Sequence, residues 1–305
     1  MTMSQDLQPL AVQLGTYHSF TYTPSPSKSF HECINTFTGT LDTATITTTQ
    51  PIIFIESPTS DPEGREQSLV NLFSNPSITS ALFLPSPVAA LYSIAHDTGV
   101  VLDIGHTTTT ISHVHNGLVT STSMLEAGSR DITFELISLC DGSEQDFSFW
   151  NSLKESLCFV EGVGIKSTGF SRTIFDLPDR QDPIIITSAA HLSPLPFIDQ
   201  LLPFVHSFLS CLPPDVPLPL SVLLIGGGSK LAGLARKISL ELTGSVTPLP
   251  VKDKYSVLIG DTKNLSVSCV LGVSFVYNLL QDEELYISRK DYEEMGSSVV
   301  HVKGW

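Results

Sequence analysis

A carboxylate, a glycine and a row of hydroxyl residues follow one apolar run in the segment 99–109, which reads GVVLDIGHTTT. The apolar run is typical of a strand that is buried on both faces. The turn after it contains Asp103, Gly105 and Thr107, and its backbone N–H groups could surround phosphate oxygens. Asp103 is suited to hold Mg²⁺ through water, because Mg²⁺ keeps most of its waters and takes few carboxylates. The segment therefore predicts a phosphate-binding turn with Asp103 as the metal residue, although an ordinary strand-to-hairpin turn has the same pattern.

A second glycine turn follows another apolar strand, in the segment 220–228, which reads LSVLLIGGG. Gly226 and Gly227 would let the backbone approach a ligand closely, and a helix predicted over 231–242 would place its N-terminus behind the turn. A tight structural turn is the alternative interpretation. The two turns lie in different halves of the chain, with strands and helices alternating between them. This order predicts two α/β lobes with a ligand between them.

Histidines and cysteines do not form a convincing metal-binding pattern. His113 and His115 would share one face of a strand near His106, but no carboxylate or fourth ligand is spaced with them, so hydrogen-bonded or surface histidines are favoured. The five cysteines are odd in number, widely separated and never in a C-x-x-C pair. They predict reduced, buried thiols in the cytosol or nucleus, and no zinc site.

Composition limits the classes of partner. The chain has 305 residues, 41% hydrophobic and 15% charged, which is enough for two well-cored domains or one split domain. Its net charge of −15 argues against binding a nucleic acid backbone, which needs a basic face. The longest apolar run, 216–225, is interrupted by prolines and too short to span a bilayer. The first residues lack the basic start and apolar core of a secretory signal. Neither nucleic acid nor membrane is expected as a partner.

The order of motifs resembles that of the actin family. The similarity is collinear from residue 51 to residue 305 and rests on eight segments, which are 51–58, 90–92, 98–105, 127–133 (with one inserted serine), 153–160, 175–179, 224–234 and 291–301. Any one segment is a moderate match, but eight in the same order are a strong one. On these residues the chain is identified as a divergent and shortened actin-related protein.

The resemblance implies the two-lobed α/β fold shared by actin, heat-shock chaperones and sugar kinases, with a nucleotide cleft. The expected first lobe comprises 1–98 and 268–305, with its small mobile subdomain largely missing at about 21–50. The expected second lobe comprises 99–267, with a reduced small subdomain at about 130–186. The upper small subdomains are thus predicted to be reduced.

The resemblance also implies ATP or ADP with Mg²⁺ as the ligand. Lys154 and Glu155 match a family pair near the base and ribose, although a solvated pair on a helix is the alternative. Lys254 matches a further adenine-side lysine in one of two alignments, since 268–272 fits the same family segment. The residues carried over for the nucleotide are Asp103, Gly105, Thr107, Lys154, Glu155, Gly226, Gly227 and Lys254, with Asp103 also for the metal.

Several family residues that act on the phosphates are replaced. The metal-side aspartate aligns with Gln13, the phosphate-binding lysine with Phe20 and the second-loop aspartate with His106. The glutamine that positions water aligns with Ser86, and a family histidine aligns with Thr110. Without them, phosphate neutralisation is weakened and no group remains to orient the attacking water. The sequence therefore predicts a pseudo-ATPase with little or no hydrolysis.

The deletions predict how the protein assembles. Only about thirty residues, 21–50, stand where the family carries the loop that inserts into the next filament subunit, so a conventional filament is not expected. The family groove that docks a partner helix is represented by Tyr92, Leu279, Leu285 and Ile287, which could instead pack the core.

The favoured function is a non-filamentous structural subunit of a multiprotein assembly, either a chromatin-remodelling complex or a dynactin-like pointed-end complex, in the nucleus or the cytoplasm. The competing hypothesis is a weak ATP-binding cytoskeletal protein that associates with actin filaments. A sugar-kinase relative is least favoured, because the chain ends like an actin.

Overall fold

A computed structural model describes much of the chain as two compact units. The described residues are 10–13, 19–22, 34–37, 51–139, 147–160, 173–175, 184–186, 195–243 apart from 215 and 217, 255–259, 268–276 and 283–303. Unit 1 comprises Met1–Val101, Ser112–Ser123 and Ser266–Trp305, and unit 2 comprises Leu102–Ile111 and Met124–Leu265. The predicted lobe boundaries and reduced subdomains stay predictions, and much of 21–50 and 130–186 lies outside the described residues.

Strands and helices alternate along the chain, as the sequence predicts. The strands are β1 Leu10–Gln13, β2 Ser19–Tyr22, β3 Ile34–Phe37, β4 Ile52–Glu56, β5 Ser80–Pro85, β6 Gly99–Ile104, β7 Thr109–His115, β8 Leu118–Leu125, β9 Thr173–Phe175, β10 Ile184–Ile186, β11 Leu220–Ile225, β12 Tyr255–Ile259 and β13 Ile287–Ser288. The helices are α1 Pro62–Phe73, α2 Ser86–Tyr92, α3 Ser129–Leu139, α4 Phe147–Leu157, α5 Leu195–Ser210, α6 Leu234–Thr243, α7 Ser268–Val276 and α8 Arg289–Met295.

Unit 1 is built on a six-stranded sheet in the order β13-β5-β4-β1-β2-β3. Strands β1, β4 and β5 run parallel, while β2, β3 and β13 add antiparallel edges. Every residue of β4 is buried, which explains the apolar run over 52–55. Helix α1 begins at Asp61, whose carboxylate accepts a hydrogen bond from Gly64 N at 2.7 Å, and buries Leu69, Leu72 and Phe73 in the core.

The second sheet has five strands in the order β12-β11-β6-β7-β8, with β11 and β12 parallel. Strands β7 and β8 form a hairpin whose turn residues Asn116 and Gly117 have φ of 50° and 76°. Positive φ at both central residues is what an Asn-Gly hairpin turn requires. Strand β6 therefore lies inside this sheet and delivers Asp103 at its carboxyl end. The fold is of the α/β class, as the resemblance implied.

In the part of the chain that the structure describes, no helix combines the length and the apolar character needed to cross a bilayer.

Candidate phosphate-binding site

Asp103 lies near the carboxyl end of β6 and keeps partial contact with solvent. Within the described residues, no hydrogen bond or ion pair engages its carboxylate. Burial raises the pKa of Asp103 from its ordinary value of 3.8 to about 6, because desolvation disfavours the charged form. A carboxylate in these surroundings gains from any group that restores its lost solvation, such as a cation or its hydration shell.

The glycine turn after β11 packs directly against Asp103. Gly226 has φ of 86°, and a Cβ atom there would collide with Asp103 Oδ1 and come within 2.5 Å of the Ile104 carbonyl oxygen. A Cβ on Gly228 would lie 2.5 Å from Ile104 Cγ2. Only glycine allows this approach. Both turns therefore lie side by side within unit 2.

Gly227 differs from its neighbours, since a Cβ there would meet no atom of the described residues within 4 Å. The helix predicted over 231–242 is confirmed as α6, but it begins later than predicted. Residues Gly227–Lys230 form a 3-10 turn, and α6 begins only at Leu234. Ser229 holds the turn closed, because its N–H and hydroxyl both donate to the Gly226 carbonyl, at 3.3 and 2.6 Å. What this turn offers a ligand is open backbone beside Asp103, without a helix N-terminus.

The Gly105 turn is held in shape by the start of α3. Gly105 N donates to Thr108 O at 3.0 Å and closes the turn. Ser129 N donates to Gly105 O at 3.0 Å, and Arg130 N donates to His106 O at 2.7 Å. The first N–H groups of α3 are thus engaged with the turn rather than with a ligand. Gly128 permits this contact, because a Cβ there would lie 2.6 Å from His106 O.

Lys154 and Glu155, predicted to act together near the adenosine, have different surroundings. Lys154 is buried, and its Nζ donates to Ser129 O at 3.0 Å and to Asn151 Oδ1 at 2.7 Å. Burial lowers the pKa of this ammonium group, because the charged form loses solvation. Glu155 is exposed and accepts a hydrogen bond from Asn151 Nδ2 at 3.0 Å. The alternative interpretation as a solvated pair therefore describes Glu155 but not Lys154.

The remaining predicted site residues divide by location. Thr107 is half-buried in the Gly105 turn. Lys254 and Leu279 lie outside the described residues. Of the partner-groove residues, Tyr92 and Leu285 are half-buried, but Ile287 is fully buried in the core of unit 1, where β13 pairs with β5. Ile287 therefore packs the core and is unavailable to a partner, which corrects its assignment to the groove.

The histidines behave as predicted for hydrogen-bonded side chains. His113 is buried, and its Nδ1 lies 2.7 Å from Thr120 Oγ1. The His106 ring lies edge-on to Phe147, with ring centroids 5.6 Å apart. No group of three or more histidine, cysteine or acidic side chains among the described residues could hold a metal ion. If a metal binds at this site, its other ligands must come largely from water and a ligand phosphate.

The residues that are present fit a nucleotide phosphate with Mg²⁺. Mg²⁺ characteristically takes one or two carboxylates and completes its shell with water and phosphate oxygens, and Asp103 supplies one such carboxylate. Gly226 and Gly227 leave open backbone beside it. When bound, Mg²⁺ would neutralise phosphate charge. Ser86 is buried and the His106 ring packs on Phe147, so neither side chain is well suited to activating water.

Comparison with known proteins gives the same family as the motifs. Residues 28–147 match the family model described as Actin. The chain is 21% identical to Actin-related protein 4 of Arabidopsis thaliana over 320 residues, which cover 84% of this chain and 72% of that protein. It is 24% identical to Actin-like protein 9 of Bos taurus over 284 residues, which cover 86% of this chain and 67% of that protein.

The chain is thus similar to actin-family proteins, at low identity. The region that matches the family model ends just beyond α3, so it includes the Asp103 turn but not the glycine turn after β11. The conclusion about the second turn therefore depends on its packing against Asp103.

Four residues of the site were missed from the sequence, namely Gly128, Ser129, Asn151 and Gly228. Segment 127–133 matches a family motif, but the match does not reveal that Gly128 and Ser129 support the turn. Asn151 lies three residues before Lys154, a helical spacing that could have suggested the contact. Gly228 follows Gly226 and Gly227, which the sequence predicts as site residues, and the same run of glycines could have suggested it.

Proposed function

We propose that this protein is an actin-related, non-filamentous structural subunit of a multiprotein assembly, and that its nucleotide site binds without useful hydrolysis. The observation that carries the proposal is the surroundings of Asp103. The glycine-lined turn beside it supports phosphate binding, and its unpaired carboxylate suits a hydrated Mg²⁺. The replacement of the family's second-loop aspartate by His106, with its ring packed on Phe147, argues against hydrolysis.

The proposed ligand is ATP or ADP with Mg²⁺, which would act as a structural element. The first test is thermal unfolding of the purified protein with and without Mg-ATP, with the denatured sample analysed for co-purified nucleotide. A ligand at a hundred times its dissociation constant adds about 2.7 kcal/mol to the free energy of unfolding, which corresponds to a shift of several degrees. If Mg-ATP causes no shift and the denatured sample contains no nucleotide, the nucleotide part of the proposal is excluded.

The proposed partners are protein subunits that dock through a helix, in a nuclear chromatin-remodelling assembly or a cytoplasmic dynactin-like one. Half-buried Tyr92 and Leu285 support a contact of this kind, because each has side-chain surface left to bury. The net charge of −15 argues against direct binding to a nucleic acid backbone. Affinity purification of the tagged chain from its own cells, followed by mass spectrometry, should return a stoichiometric set of subunits.

Sedimentation with conventional actin separates this proposal from a weak cytoskeletal ATPase. The account expects the protein to stay in the supernatant at concentrations where actin pellets, and to release no phosphate above background. Co-sedimentation with actin together with Mg²⁺-dependent phosphate release would favour the cytoskeletal alternative.

A further inference from the structure

Helix α4 contacts the Gly105 turn at two points. At its start, the Phe147 ring packs against the His106 ring of the turn at 5.6 Å between centroids. Two helical turns later, Lys154 Nζ donates to the carbonyl oxygen of Ser129, which lies at the start of α3. The helix thus reaches the turn directly through one side chain and indirectly through another.

The indirect contact passes through a single peptide group. Lys154 binds the carbonyl oxygen of the peptide that joins Ser129 to Arg130, and the N–H of the same peptide donates to His106 O at 2.7 Å. A positive charge on the carbonyl polarises the peptide and strengthens the hydrogen bond that its N–H makes. Ser129 N, from the preceding peptide, donates to Gly105 O and fixes the other end of the turn.

The cost of burying Lys154 indicates that this contact matters. A buried ammonium group loses solvation and is retained only where hydrogen bonds compensate for the loss. Here both observed acceptors, Ser129 O and Asn151 Oδ1, lie within protein, and the side chain is 6% exposed. An exposed lysine reaching for a ligand would have neither property.

We propose that Lys154 is a positioning residue for the phosphate-binding turn, acting through the Ser129–Arg130 peptide rather than by contact with adenosine. The inference rests on the proposed function, because it concerns binding at that turn. It predicts that loss of the ammonium loosens the turn in the ligand-free protein. It also predicts that every ligand bound through its phosphates weakens by the same factor, whatever its base.

Hydrogen exchange on the ligand-free full chain tests the structural step. In Lys154→Met, amides of 105–110 and 129–131 should exchange at least about tenfold faster than in wild type, since a charge-assisted contact is lost. Lys237→Met is the matched control, because Lys237 forms a half-exposed i,i+4 pair with Glu241 on α6, and it should leave these amides unchanged. Unchanged protection in Lys154→Met would overturn the proposal.

A second variant guards against misfolding. Lys154→Gln keeps a donor but removes the charge, so protection should fall between those of wild type and Lys154→Met. Equal protection in Lys154→Gln and wild type would show that the charge is irrelevant and would overturn the mechanism.

Calorimetry with three probes distinguishes positioning from direct contact. Lys154→Met should weaken Mg-ATP and Mg-tripolyphosphate by the same factor, and should leave the affinity for adenosine unchanged. Weaker binding of ATP and adenosine with unchanged tripolyphosphate would mean direct contact and would refute the proposal. If wild type binds none of the three, the proposed nucleotide function fails, while the exchange experiment still decides what Lys154 does.

Discussion

Two charged side chains of this protein, Arg289 in unit 1 and Asp103 in unit 2, are accommodated in opposite ways. The Arg289 guanidinium donates to the carbonyl oxygens of Phe73, Asn75 and Ile78 at 2.6–3.1 Å, and lies 5.0 Å from the centroid of the Phe73 ring. The carboxylate of Asp103 has no hydrogen-bonding partner among the described residues, and burial raises its pKa to about 6. One charge is compensated by the fold, and the other is not.

The difference separates stability from function. Arg289 lies at the start of α8 and donates to carbonyl oxygens at and just after the end of α1. The end of a helix leaves backbone carbonyls without intrahelical donors, so the charge of Arg289 stabilises unit 1. Asp103 costs the folded state free energy and contacts a turn shaped by glycines. A charge kept at such a cost marks a ligand site more convincingly than a charge that is already paired. Substitutions at the two positions should therefore change stability in opposite directions.

The largest expected effect is loss of Arg289. Arg289→Met should lower the free energy of unfolding by about 3 kcal/mol, because buried carbonyls lose their charged donor. Chemical denaturation followed by circular dichroism measures this loss. The control is Lys290→Met, since among the described residues Lys290 pairs only with exposed Glu294 at 3.7 Å, and its effect should stay within about 0.5 kcal/mol. Equal effects of the two variants would contradict the structural role of Arg289.

A Cβ at the glycine turn should both destabilise the fold and disturb Asp103. Gly226→Ala should cost about 2 kcal/mol, because φ is 86° and the new atom would collide with Asp103 Oδ1. Gly227→Ala is the matched variant, since no atom of the described residues lies within 4 Å of its Cβ, and its stability should be nearly that of wild type. Thermal unfolding of the ligand-free proteins compares them. A stable Gly226→Ala would show that the turn and Asp103 are not in close contact.

Removing the charge of Asp103 should stabilise the ligand-free protein. The folded-state pKa is raised from 3.8 to about 6, so the charge is penalised above pH 6 and the penalty disappears below about pH 4. Asp103→Asn should therefore gain about 2 kcal/mol at pH 7.5 in the presence of a chelator, and nothing at pH 4. Denaturation at both pH values checks the sign. A loss of stability at pH 7.5 would mean that the carboxylate has a structural partner.

The smallest expected effect concerns the start of α8, where a carboxylate is paired. Ser288 and Asp291 form a capping box. Hydrogen bonds from Ser288 and Lys303 lower the pKa of Asp291 to about 2. Ser288→Ala should cost about 1 kcal/mol at neutral pH. The stabilisation from Asp291 is present above about pH 4 and is lost as the pH falls towards 2, and this loss should be smaller in the variant. An identical acid profile in both proteins would argue against the capping contact.

The sequence predicted the elements better than the contacts of the site. Local patterns are sufficient for the apolar strands β6 and β11, because each depends on residues adjacent in the chain. The approach of Gly226 to Asp103 joins residues far apart in sequence, so no local pattern could reveal it. Lys154 and Glu155 are neighbours on one helix, yet only the packing of α3 against α4 decides that one is buried and the other exposed.

The family resemblance supplied what local patterns could not. It predicts that Asp103, Gly226 and Lys154 belong to one site. It does not predict that Lys154 donates to the carbonyl oxygen of Ser129, the serine inserted in segment 127–133. It also places Ile287 in a partner groove, whereas Ile287 is fully buried. Exposure depends on which face of the sheet a residue occupies, and the resemblance does not reveal that face.

The most direct test of the central claim is the fate of ATP on the protein. Purified chain is equilibrated with Mg²⁺ and ATP labelled at its terminal phosphate, separated from free nucleotide, and denatured at intervals to identify what was bound. The account predicts that bound ATP is recovered intact over hours, with binding reduced in Asp103→Asn. Conversion to ADP at a Mg²⁺-dependent rate that Asp103→Asn abolishes would contradict it, and would make this protein an ATPase.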